Sequence, residues 1–173
     1  KIAAYAKSLG IPTLFYIAPQ VWAWREKRIN NIIKVVDHLA VVFSFEYQIF
    51  SKVTKNVSFV GHPLADDKEL IPSDINYKDK KYDLGIFPGS RESEIKNNIY
   101  TMLDCIKPSK NKDSKKNVIK IFYSNEKTKK LLEDMLPDRM HQCLLSGTDR
   151  NEVRRCKKAI TASGTITLEL ALM

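Results

Sequence analysis

Two short strings place glycine, small hydroxyl residues and charge where an apolar run gives way to a helical pattern. The first is Pro88-Gly89-Ser90-Arg91, after a run ending at Phe87 and before a helix beginning at Glu92. Glycine lets the backbone turn tightly and approach a ligand. The helix N-terminus offers unpaired N–H groups and positive potential, which suit phosphate oxygens. Ser90 can bond such an oxygen and can equally cap the helix; Arg91 can make a two-pronged contact to phosphate. The second string is Ser163-Gly164-Thr165, again between strand and helix, with Glu169 in the helix. Glu169 can reach a ribose hydroxyl, or be a surface carboxylate favoured by the helix dipole. In open α/β sheets ligands lie at the carboxyl ends of the strands, so both turns can converge on one nucleotide diphosphate.

A third string, Pro19-Gln20-Val21-Trp22-Ala23-Trp24-Arg25, sets two tryptophans in a loop after a strand. Trp22 and Trp24 can floor a site for a sugar or an acyl chain, or seal the loop onto its own domain. Arg25, with Lys27, Arg28 and Lys34, makes the next helix basic, to face phosphate, lipid or water. His62 follows Gly61 at a strand end and is a candidate substrate or lipid contact, although a lone histidine is more often structural. It has no second histidine or carboxylate at ligand spacing, so no metal site is expected. Nor does the spacing support a Ser-His-Asp set or paired carboxylates.

The elements that must position these residues follow from periodicity. Helices are read at 1–9, 25–37, 45–53, 92–106, 126–135, 150–156 and 165–172. Strands are read at 13–17, 38–43, 57–60, 83–87, 118–123, 142–145 and 159–162. Strands alternating with helices imply βαβ units and parallel sheets. A polar stretch over 66–82 reads as a linker between a first part, 1–65, and a second, 83–173. Each is expected to be an incomplete Rossmann-like domain.

Composition narrows the classes. A 43% hydrophobic content is that of a globular protein. No run approaches the roughly 18 apolar residues of a membrane span. Cys105, Cys143 and Cys156 fit no metal spacing and read as reduced packing thiols. The net charge of +9 can attract nucleic acid, an anionic membrane or phosphorylated substrates. No helix-turn-helix, zinc or RNA-binding aromatic motif accompanies it, so nucleic acid is not expected. Part of the charge is a run of six lysines between 107 and 120, which reads as a solvated loop. Both ends look abrupt: helix begins at once, and Met173 falls inside an apolar helical pattern. A partial sequence is expected.

Together the strings resemble the lipid-A-disaccharide synthase family, glycosyltransferases of the two-Rossmann-domain GT-B type. The resemblance runs through Tyr16 to Arg25 with Lys27-Arg28, Phe59 to Asp66, Phe87 to Arg91 with Glu94-Ile95, and Ala162 to Thr165 with Leu168-Glu169. It implies transfer of 2,3-diacylglucosamine from UDP-2,3-diacylglucosamine to 2,3-diacylglucosamine 1-phosphate, with inversion and without a cofactor. Ser90 and Arg91 would hold the diphosphate. Gly89, Ser163, Gly164, Thr165 and Glu169 would complete the nucleotide site. The general base is expected upstream of Lys1, so this chain alone should be inactive. The lipid substrates and the basic charge imply a cytoplasmic protein, peripheral on the anionic inner-membrane surface. The alternatives are another UDP-sugar GT-B enzyme or a non-catalytic basic binding remnant.

Overall fold

A computed structural model describes residues 1–19, 27–70, 80–106 and 118–173. Trp22, Trp24, Arg25, the lysine run over 107–117 and most of the stretch read as a linker lie outside them. The chain divides into two compact units, Lys1–Asp67 and Lys68–Met173. Each is built on an all-parallel sheet.

The first unit runs α1 (Ile2–Ser8), β1 (Leu14–Tyr16), α2 (Lys27–Val35), β2 (His38–Val41), α3 (Ser44–Phe50), β3 (Val57–Phe59) and a 3-10 turn (Pro63–Asp66). Its sheet order is β1-β2-β3. Ile29, Ile32 and Ile33 of α2 share one face and pack with Val36 around Leu39, Val41, Phe50 and Val57. The helical spacing of these apolar residues supplies that stripe. The strand read at 38–43 stops at Val41, two residues early. Phe43 is already the N-cap of α3, and the buried Glu46 carboxylate accepts the N–H groups of Val42 and Phe43 at 3.3 and 3.2 Å. Amides tied to a helix cap cannot serve a strand ladder.

The second unit runs β4 (Leu84–Phe87), α4 (Glu92–Asp104), β5 (Ile119–Tyr123), α5 (Glu126–Met135), a 3-10 segment (Asp138–Cys143), β6 (Leu144–Ser146), α6 (Arg150–Arg154), β7 (Ala159–Thr161) and α7 (Thr165–Leu172). Strand order is β6-β5-β4-β7, so the chain builds outward from β4 on one side and then returns to its other side. Ile95, Ile99 and Met102, spaced at four and three residues along α4, pack with Leu132 and Leu136 from α5 and the α5 end against Ile86 and Ile121. The opposite face buries Phe87, Phe122, Val153 and Cys156, with Ile166 and Leu170 of α7 against them. Helices therefore cover both faces, as strands apolar on both sides require. The strand read at 142–145 is displaced to Leu144–Ser146 because the 3-10 segment takes the preceding residues.

Close packing leaves no room at Gly85 in β4. A Cβ there would lie 2.7 Å from Cys156 Sγ and 3.0 Å from the Phe87 ring. Burial also pushes the Cys156 thiol up to about 11, so this cysteine is a protonated packing group at neutral pH. At the amino end of the sheet, Asp83 joins three segments. Its carboxylate accepts the Val118 N–H at 2.9 Å and pairs with Lys157 at 2.7 Å.

Gly85→Ala is expected to destabilise the protein by about 1–3 kcal/mol through overpacking, read as a lower midpoint in urea. An unchanged midpoint would refute the packing argument. The second expectation concerns acid. The Lys157 ammonium, then the Val118 amide, hold the Asp83 carboxyl below its ordinary value of 3.8. A depressed carboxyl stabilises the fold above its unfolded value, and that stabilisation is lost as pH falls through the folded one. Asp83→Asn should therefore lower stability at pH 6 and narrow its gap to the wild type as pH falls below about 4, as followed by thermal melts.

Candidate functional site

The carboxyl ends of β4, β5, β6 and β7 open onto one cleft of about 350 Å³. Sheet order makes this the point where successive strands switch sides of β4, the place where open α/β sheets bind ligands. Gly89, Ser90 and Arg91 line it from the β4 turn, and Ser163, Gly164, Thr165 and Glu169 from the β7 turn and α7. The stacked rings of Phe87 and Phe122, with centroids 4.6 Å apart and 3° between planes, belong to the same lining. Such a volume falls within the range of roughly 300–1,000 Å³ typical of small-molecule sites.

Each turn is built differently. Gly89 has φ +127°, a left-handed conformation that side chains rarely adopt, and its missing Cβ lets Glu94 come close. The Asn98 amide donates to the Pro88 carbonyl at 3.1 Å and ties the turn to α4. The N-cap of α4 is Arg91, not Ser90. The cap bonds come from Glu94, whose Oε2 accepts the N–H groups of Ser90 and Arg91 at 3.1 and 3.3 Å. Its Oε1 pairs with the Arg91 guanidinium. The Ser90 amide, then the Arg91 side chain, hold the Glu94 carboxyl below its ordinary range. Capping by Ser90, one of the two roles open to it, is thus excluded, and its hydroxyl has no bonded partner among the described residues.

The β7 turn is the opposite case. Gly164 is the N-cap of α7 and no side chain caps the helix. Thr165 and Ile166, at this helix start, line the cleft, and positive helix potential is strongest there. Glu169 is half-buried on the cleft side of α7 with no side-chain hydrogen bond among the described residues.

Sequence reading missed Glu94 as a cleft residue, and with it Tyr123, Ser124, Gly147 and Thr148, which line the same cleft from β5 and β6. The signal for Gly147-Thr148 was present: a strand, then Gly-Thr-Asp, then a helix, with Asp149 accepting the Asn151 and Glu152 amides. The apolar run over 142–145 was too weak to raise it.

In the first unit, His62 is engaged locally. Its Nδ1 accepts the Leu64 N–H at 3.2 Å, and its ring lies 5.6 Å from that of Phe43. His38 meets Ser58 at 2.9 Å, and His141, in the second unit, sits against the carbonyls of Glu133 and Leu136. Ile17 has φ +62°, a strained conformation for a β-branched residue, just before the double-tryptophan string. Among the described residues no group of three His, Cys, Asp or Glu side chains is placed to hold a metal.

Comparison with known proteins shows the family. A sequence profile described as lipid-A-disaccharide synthetase matches residues 1–173. A lipid-A-disaccharide synthase of Coxiella burnetii is 35% identical over 177 residues, covering 99% of this chain and 46% of the relative. One of Trichlorobacter lovleyi is 32% identical over 184 residues, covering 100% of this chain and 47% of the relative. One of Syntrophotalea carbinolica is 30% identical over 178 residues, covering 99% and 45%. The chain spans about half the length of the curated relatives it matches. With the profile matched from end to end and parallel α/β sheets in both units, the chain belongs to the lipid-A-disaccharide synthetase family.

Proposed function

We propose that the intact protein is a glycosyltransferase that moves 2,3-diacylglucosamine from UDP to 2,3-diacylglucosamine 1-phosphate, yielding the β-1,6-linked disaccharide 1-phosphate and UDP. One observation carries the reading. The turns after the neighbouring strands β4 and β7 line a single cleft, one with a cation and the other with uncapped helix amides. In this reaction the acceptor hydroxyl oxygen bonds to the donor's anomeric carbon. The bond from that carbon to the β-phosphate oxygen breaks, and its electron pair leaves with UDP. The hydroxyl proton goes to a general base expected upstream of Lys1.

The residues of this chain act on the leaving group. Charge grows on the β-phosphate as the glycosidic bond breaks, so donors fixed in advance lower the barrier more than they strengthen ground-state binding. Arg91 supplies full positive charge and the α7 amides supply partial charge. The Ser90 and Thr165 hydroxyls add donors, and Glu169 can accept from a ribose hydroxyl. A cleft of about 350 Å³ is within the size range of small-molecule sites. For the lipid parts, Trp22, Trp24, Arg25 and His62 of the first unit are the proposed contacts.

Arg91→Ala in the intact protein should lower turnover efficiency by about one to two orders of magnitude, the loss of one charge-assisted contact. Arg91→Lys should recover only part, since an ammonium cannot reproduce the planar fork. Disaccharide formation and UDP release, measured in parallel, give the answer. Wild-type efficiency in Arg91→Ala would reject the assignment.

The proposal extends to location: a cytoplasmic protein held peripherally on the inner membrane. It is supported by the +9 charge and by lipid substrates. Among the described residues no helix is long and apolar enough to cross a membrane. Each basic residue near an anionic surface contributes about 1 kcal/mol, screened by salt. Vesicle sedimentation should show binding to anionic vesicles that weakens as salt rises. Equal, salt-insensitive binding to neutral vesicles would exclude the electrostatic part.

A further inference from the structure

Glu94 makes two kinds of contact at once. One carboxylate oxygen takes the amides of Ser90 and Arg91, and the other takes the Arg91 guanidinium. We propose that Glu94 is a positioning residue that fixes the turn before α4 and holds the Arg91 side chain toward the diphosphate of the nucleotide. The proposal rests on the UDP reading above.

Comparison among the turns separates the two contacts. At the start of α3, Glu46 closes the amides from the same helical position, and it is only 1% exposed. At the start of α5, Thr128 does so with a neutral hydroxyl, accepting the amides of Ser124 and Asn125 at 3.1 and 3.0 Å. Capping alone therefore needs no negative charge. What a carboxylate adds at position 94 is the second oxygen, and Arg91 is on it.

Arg91 needs that hold. Its side chain is 77% exposed, against 29% for Glu94, and a long solvated side chain samples many rotamers. Ordering it on binding would cost affinity; ordering it beforehand avoids that cost. Glu94 engages one amino group of a guanidinium that carries five N–H donors, so others remain for a phosphate. The turn is also shaped around Glu94: a Cβ on Gly89 would come 2.7 Å from Glu94 Cβ. The competing view is that Glu94 is an internal anion, ejected when phosphate arrives. The two views give opposite signs.

The test is calorimetric UDP affinity for the intact protein with E94Q, R91A and both together. A glutamine can still accept the two amides through its carbonyl, but it cannot hold the guanidinium by charge. E94Q should bind UDP about tenfold more weakly, with a melting temperature near the wild type's. In the R91A background the same change should alter affinity less than about twofold, because the contact it acts through is gone. E94Q binding UDP as tightly as the wild type, or more tightly, overturns the proposal. So does an equal loss in both backgrounds, which marks a plain cap. If E94Q does not fold, E94T, which copies the Thr128 cap, carries the same expectations. Wild-type protein that binds no UDP, or R91A that binds it normally, removes the UDP reading and this proposal with it. Normal R91A weakening without an E94Q effect removes only the proposal.

Discussion

A helix that follows a buried strand begins with N–H groups that have no partner inside it, and these groups must find one. In this protein Asn125 and Asp149 accept such groups at α5 and α6, whereas Glu46 and Glu94 take the N-cap amide and the one before it at α3 and α4. The turn after β7, with Gly164 at the cap, has neither kind of side-chain contact among the described residues. The rest of the site depends on this difference. A helix start whose amides no side chain takes, beside a cleft, is a place for an anion.

The position of β4 makes the difference matter. It is hydrogen-bonded to β5 on one side and β7 on the other, and its residues from Gly85 onward are buried. The strand order sets the turn before α4, with its arginine, beside the turn before α7. Partial charge from amides and full charge from Arg91 then act in one space. Each is modest alone, since a surface ion pair such as Arg91–Glu94 is weak and salt-screened. Convergence in a partly enclosed cleft is what raises their effect.

The opposite end of the same sheet bears the stabilising work. Asp83 links the beginnings of β4 and β5 to Lys157 ahead of β7, and Gly85 lets Cys156 and the phenylalanine pair pack at close range. Separating anchors from the ligand end lets the carboxyl-end turns carry unsatisfied and strained groups without unravelling the strands.

Element type was legible from residue order because it is local. Apolar spacing of three and four along α4 and α2, and short apolar runs at β4, β5 and β7, specify helix and strand whatever lies beyond them. The ends were less legible where capping intervened: the strand at His38 stops short because Glu46 claims the next amides. Gly-Ser-Arg and Ser-Gly-Thr could be singled out as candidate anion-binding turns from residue type and from their place between strand and helix. Which turn keeps its amides free could not, because that depends on whether a side chain one helical turn away folds back to accept them, as Glu94 does, whereas Thr167 donates to the Ala162 carbonyl instead. The contributions of Tyr123, Ser124, Gly147 and Thr148 were also hidden, since they are far apart in the chain and meet only through the order β6-β5-β4-β7. Residue order determined the elements and the chemistry available at their ends. Strand pairing, a matter of long-range burial, decided which of those ends share a cleft.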